Sequence, residues 1–162
     1  MRVALLFASW MVASCQSDLD ATAPLAALDE PYFRCKVQPV LTKSCGALAC
    51  HGDARRYFHV FSRNRMRAQG SEADRIAALT REKRSANLIA AIAMVDGASP
   101  DASWILKKPL DSSAGGYFHQ GAEIFGGGNV FSGTRDPDYV ILRDWIAGKT
   151  EDAACVEPGS DQ

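Results

Sequence analysis

The feature that most constrains this chain is the segment CGALACHG at residues 45–52, in which two thiols are followed directly by an imidazole. The pattern C-x-x-C-H is the attachment signature for c-type haem, whose vinyl groups form thioethers with both sulfurs while the histidine binds iron. Here four residues separate the cysteines instead of two. We predict that Cys45 and Cys50 hold one covalent haem c and that His51 is the proximal iron ligand, because this imidazole directly follows a sulfur that would reach the porphyrin edge.

Two other chemistries remain open for these three side chains. Zinc binds Cys and His, but a closed zinc site needs a fourth ligand and usually has a second, similarly spaced pair, which this sequence lacks. A disulfide between Cys45 and Cys50 is the other alternative.

The N-terminus predicts export. Residues 1–14 have one positive charge and a short apolar run, which is typical of a secretory signal peptide and too short to span a membrane. The closing sequence VASC at residues 12–15 resembles the bacterial lipobox. That resemblance implies that Cys15 is the first mature residue and carries lipid, anchoring the protein to an envelope membrane in the periplasm or at the cell surface. An ordinary signal peptide cut nearby is the alternative.

Export also makes the other cysteines interpretable, because free thiols rarely persist in an oxidising compartment. Of five cysteines, Cys15 is assigned to lipid and two to the motif, which leaves Cys35 and Cys155. We predict a disulfide between them that closes almost the whole domain; two unpaired cysteines are the alternative.

The remaining patterning indicates a single all-α domain with long loops. We predict a flexible tether over residues 15–30, a domain over 31–156 and a tail over 157–162. Apolar residues at helical spacing lead into the motif, with a late start or kink at Pro39. Further helices are predicted after Thr80, after Ser99 and from Asp138, the last ending at Gly148, and a glycine-rich loop covers residues 111–133.

Three segments, in this order, resemble the planctomycete-type cytochrome c domains: VQPVL at residues 37–41 running into the motif, PDASWILKKPL at residues 100–110, and the closing helix at residues 136–148. Members of that family use the widened C-x₄-C-H spacing. The resemblance implies a small class I cytochrome c-like fold with one haem and with its N- and C-terminal helices packed together.

The same resemblance bears on the second axial ligand. The family commonly has a methionine in the loop before the last helix, whereas this chain has GGYFHQG at residues 115–121. By position His119 is the natural substitute, and a bis-histidine iron would have a lower reduction potential than a His/Met iron. His59, Met66 and Met94 are alternative ligands, and an open sixth position is another alternative.

Residues 55–67 form a local basic segment in a chain whose net charge is −1. Its arginines could pair with haem propionates or with an acidic redox partner, or could simply form a solvated face. No nucleic-acid-binding motif is present, and we expect no nucleic-acid partner.

These patterns predict an electron carrier, not an enzyme: a membrane-tethered monohaem c-type cytochrome that exchanges electrons with a redox partner protein of the envelope. One alternative is a haem enzyme or gas-binding protein with an open distal position. The other is a haem-free surface lipoprotein, stapled by disulfides and serving as an interaction module.

Overall fold

The computed structural model describes residues 28–63, 76–119 and 129–156. These residues are helical and contain no sheet; Leu110 and Phe131 form an isolated bridge. The predicted all-α class is therefore confirmed for this part of the chain. The predicted signal peptide, Cys15, most of the tether and the tail lie outside the described residues. Of the helices described, none is both long and apolar enough to cross a bilayer.

The N-terminal helical segment has three parts: α1 at Glu30–Tyr32, a π-helical turn at Phe33–Val37, and α2 at Gln38–Ser44. Pro39 lies in the first turn of α2, where its missing N–H is tolerated, and the irregular turn precedes it. The predicted irregularity near Pro39 is thus present, but the helix starts earlier than expected.

Residues 28–30, predicted as the end of the tether, belong to the folded domain instead. The Asp29 carboxylate accepts a hydrogen bond from Tyr32 N at 2.6 Å, which caps α1. The Asp29 carbonyl accepts another from Trp145 Nε1 at 3.0 Å, across 116 positions of sequence. A sequence pattern cannot show the second contact, because its partner lies at the other end of the chain.

Three further helices follow: α3 at Arg81–Ile92, α4 at Trp104–Lys107 and α5 at Pro137–Ile146. The starts of α3 and α5 agree with the sequence prediction, whereas the helix predicted after Ser99 begins only at Trp104, because the extended Ser103 separates it from a 3₁₀ turn. Thr80 Oγ1 accepts from Lys83 N at 3.3 Å, and Asp136 Oδ1 accepts from Asp138 N at 2.9 Å. Gly148 follows α5 with a positive φ of 84°, which favours glycine. Short 3₁₀ turns at Pro100–Ala102 and Ser112–Ala114 complete the described secondary structure.

The core is formed where α5 packs against the π-helical turn and α4. The fully buried Trp145 ring lies 5.3 Å from the ring of Phe33, centre to centre, at 50°. The predicted disulfide joins Cys35 of the π-helical turn to Cys155 beyond α5, with a Cα–Cα distance of 6.4 Å. Both ends of the domain are therefore held together by apolar packing and by a covalent bond.

A buried amide connects α3 to the N-terminal segment and to the chain that follows the motif. Asn87 Nδ2 donates to Gln38 Oε1 at 2.9 Å and to the Phe61 carbonyl at 2.8 Å, while Asn87 Oδ1 accepts from Phe61 N at 2.8 Å. Because Asn87 and Gln38 are both buried, these bonds fix residue 61 relative to α2. The motif lies between these two fixed points.

Candidate cofactor site

The motif forms a hydrogen-bonded loop that starts directly after α2. Cys50 N and Gly52 N both donate to the Ala47 carbonyl, at 2.9 and 2.8 Å, and His51 N donates to the Cys45 carbonyl at 3.0 Å. A Cβ at Gly52 would lie 2.4 Å from the Gly46 carbonyl oxygen, so the loop can close only with glycine there. The two additional residues of the widened motif are thus accommodated in turns, and His51 remains next to the start of the loop.

A cavity of about 460 Å³ opens beside this loop. Its volume falls within the range of roughly 300–1,000 Å³ that is usual for small-molecule and cofactor sites. Both motif thiols and two imidazoles line it, together with apolar and aromatic side chains and two cations. The polar and charged lining residues are Ser44, Cys45, Cys50, His51, Arg56, Tyr57, Lys108 and His119.

The first imidazole, His51, has a defined tautomer. Its Nδ1 lies 2.8 Å from the Phe58 carbonyl oxygen, which can only accept, so Nδ1 carries the proton and Nε2 keeps its lone pair. Burial lowers the pKa of His51; the Phe58 carbonyl opposes this shift, and His119 and Arg56 add to it. A neutral imidazole whose second nitrogen is held by a carbonyl is the form in which histidine binds metals.

The second imidazole, His119, stacks against the first. The two ring centres are 6.0 Å apart and the ring planes differ by 11°. Burial, and then the charge of Lys108, lower the pKa of His119 and favour its neutral form as well. Both imidazoles are therefore neutral, nearly parallel and close together at the cavity, where either could contact a bound cofactor.

Both motif cysteines are free thiols, so the alternative Cys45–Cys50 disulfide is not formed. Burial raises the pKa of the Cys45 thiol to about 12, with smaller contributions from Cys50 and Asp138. This thiol is therefore protonated at neutral pH. Within residues 28–63, 76–119 and 129–156, no three His, Cys, Asp or Glu side chains converge as the zinc alternative would require.

The alternative axial ligands have different positions. Met94 lines the cavity. His59 is not among the lining residues, and its ring packs instead against Phe61 at 4.4 Å between centres. Met66 lies outside the described residues. The structure therefore brings His119 and Met94 to the cavity with His51, and not His59.

The arginines of the basic segment at residues 55–67 have different surroundings in the structure. Arg56 lines the cavity, whereas Arg55 forms an ion pair with Asp53 at 2.7 Å. Arg63 Nε donates to the Ile76 carbonyl at 2.8 Å, and Arg65 and Arg67 lie outside the described residues.

Sequence reasoning missed two contributors to the site. Lys108 is the second cation that lines the cavity, and it carried no sequence signal beyond its place in the segment at residues 100–110. The Phe58 carbonyl that orients His51 is a backbone group, which no side-chain pattern reveals.

Comparison with protein-family models, curated proteins and solved structures gives no match for this chain.

Proposed function

We propose that this protein is a monohaem c-type cytochrome that carries electrons in a bacterial envelope. One observation carries the proposal: the motif thiols Cys45 and Cys50 line the same cavity as the nearly parallel imidazoles of His51 and His119, whose centres are 6.0 Å apart. The donor set fits haem c, which needs two thiols for its vinyl groups and one or two neutral imidazoles for iron. The apolar walls suit a flat macrocycle.

In this proposal each residue has a distinct role. Cys45 and Cys50 hold the haem through thioethers, and His51 and His119 bind its iron. The Phe58 carbonyl keeps the proton of His51 on Nδ1, which leaves Nε2 for the metal. Arg56, which lines the cavity, would neutralise a haem propionate. When bound, haem supplies the one-electron Fe(III)/Fe(II) exchange, and histidine in place of methionine lowers its reduction potential.

The location is part of the same proposal. We propose that residues 1–14 direct export, that Cys15 carries the lipid anchor, and that electrons pass to a partner protein in the envelope. The Cys35–Cys155 disulfide supports an oxidising compartment. The packing of α5 against the N-terminal helical segment agrees with the class I cytochrome c-like arrangement that the sequence resemblance implies.

Co-expression with a cytochrome c maturation system tests the assignment. We expect a pyridine haemochrome spectrum of c-type haem and an intact mass that includes one haem and the lipid on Cys15. A mature protein whose mass contains no haem would refute the function, and the haem-free interaction module would then be favoured.

A substitution tests the axial ligand. His119→Ala should convert six-coordinate, low-spin ferric haem to a high-spin form, because it removes the second imidazole that lines the cavity. His59→Ala is the matched control and should leave the spectrum unchanged, since its ring packs on Phe61 away from the cavity. An unchanged spectrum for His119→Ala would show that the ligand is another residue. Rapid carbon monoxide binding by the reduced wild-type protein would favour the gas-binding alternative.

A further inference from the structure

The residues that carry His119 into the cavity, 115–119, form a segment that we call the histidine arm. Three hydrogen bonds hold this arm to the C-terminal end of α4. Lys107 Nζ donates to the Gly115 carbonyl at 2.8 Å, and Lys108 Nζ donates to the Phe118 carbonyl at 3.0 Å. Tyr117 N donates to the Lys107 carbonyl at 2.8 Å. The two lysine side chains therefore bind the arm through hydrogen bonds at its first residue, Gly115, and at Phe118, immediately before His119.

The two sides of this contact differ in how firmly they are anchored. Helix α4 is fixed, since Ile105 and Leu106 are buried in the core. The arm has less apolar anchoring: Phe118 is 63% exposed and Tyr117 is 43% exposed. Because the arm buries little apolar area, its polar contacts with α4 contribute more to holding it in place than apolar burial does.

Aromatic contacts hold the lysine side chains in position. Lys108 Nζ lies 5.1 Å from the centre of the Trp104 ring, and Lys107 Nζ lies 5.8 Å from that of Tyr117. Both distances are within the range of cation–π attraction. The Trp104 and Tyr117 rings also meet each other edge to face at 5.9 Å, so α4 and the arm are connected a second time.

We propose that Lys107 and Lys108 form a latch that keeps His119 in the cavity, so that these two positioning residues govern whether the sixth iron position is filled. This inference rests on the proposed function. With the latch closed, His119 stays at the cavity beside His51. With it broken, the backbone bond of Tyr117 to Lys107 remains, but the end of the arm at Phe118 and His119 loses its hydrogen bond to Lys108. The sixth position then becomes accessible to a small external ligand.

Haem-loaded protein carrying Lys107→Met and Lys108→Met, singly and together, tests the latch. Methionine keeps an unbranched side chain but removes the charged donor. We expect high-spin ferric haem to appear in the double variant, and carbon monoxide to bind its reduced form at least about tenfold faster than wild type, because two charge-assisted hydrogen bonds are lost. Lys108→Arg keeps a cationic donor and should stay close to wild type when introduced alone.

Lys149→Met is the matched control, since Lys149 donates at 2.7 Å to Asp144 on α5 instead of to the arm. It should leave spin state and carbon monoxide binding unchanged. The thermal midpoint of the double variant should also stay near that of wild type, because the latch residues are outside the core. A double variant that remains low-spin and binds carbon monoxide no faster than wild type overturns the latch while leaving the proposed function intact. Absence of haem from wild type itself overturns the function.

Discussion

The disulfide between Cys35 and Cys155 should provide a large share of the stability of this domain. The two cysteines are separated by 120 positions, so the bond restricts almost the whole unfolded chain. On the chain-entropy model a loop of this size stabilises by about 5 kcal/mol at 25 °C. Small domains are stable by roughly 5–15 kcal/mol in total. We therefore expect the double variant Cys35→Ser/Cys155→Ser to lose a third or more of its free energy of unfolding.

The folded state should survive this change, because other contacts keep the C-terminal segment docked. Arg34 Nη2 donates to the Ala153 carbonyl at 3.0 Å, and Lys36 Nζ lies 3.2 Å from Glu151 Oε2. The Glu151 N–H also donates to Asp29 Oδ1 at 3.2 Å. The expected loss therefore comes mainly from the greater freedom of the unfolded chain.

Urea unfolding followed by far-ultraviolet circular dichroism measures this effect, with any bound haem kept ferrous in every sample. The midpoint should fall, and the urea dependence should steepen because the unlinked chain unfolds to a more expanded state. Wild-type protein with the bond reduced is the control and should match the double variant. A loss below about 1 kcal/mol would refute the chain-entropy reasoning.

Two further substitutions test the elements around the site. Gly52→Ala should destabilise the protein by about 1–3 kcal/mol because its Cβ would meet the Gly46 carbonyl; on the proposed function it should also reduce haem attachment. Gly133→Ala, with nothing within 4 Å of its Cβ, is the control. Equal urea midpoints and haem content for the two variants would contradict the tight closure of the motif loop. Asn87→Ala should lower the free energy of unfolding by about 3 kcal/mol or more, since it leaves buried groups of Gln38 and Phe61 without their hydrogen-bond partner. The control Ser85→Ala, at an exposed position on the same helix, should change the free energy of unfolding by less than about 0.5 kcal/mol. An equally small loss for Asn87→Ala would show that water replaces the hydrogen bonds of the Asn87 amide.

Much of the fold was predictable because its signals are local. The Asp136-Pro137 start of α5 and its apolar residues Tyr139, Leu142, Trp145 and Ile146 lie within one helix, and the structure buries all four. The pairing of Cys35 with Cys155 followed from counting cysteines after the others had been assigned. The contacts of Asp29 with α5 were not predictable, because they depend on how the two ends of the chain meet.

The candidate site, like the fold, was predictable from sequence only in part. Sequence alone identified the motif Cys45, Cys50 and His51, since thiols and an imidazole at this spacing have few chemical uses. It favoured His119 over His59 by position but could not show which of them reaches the cavity, nor separate Arg55 from Arg56, because residues of one type look equivalent in a sequence. Tertiary structure decided both: it packs His59 on Phe61 and ties Arg55 to Asp53, while His119 and Arg56 line the cavity. The physical reason is that a side chain's chemistry is set by its own atoms, whereas its role depends on which distant groups the fold places beside it.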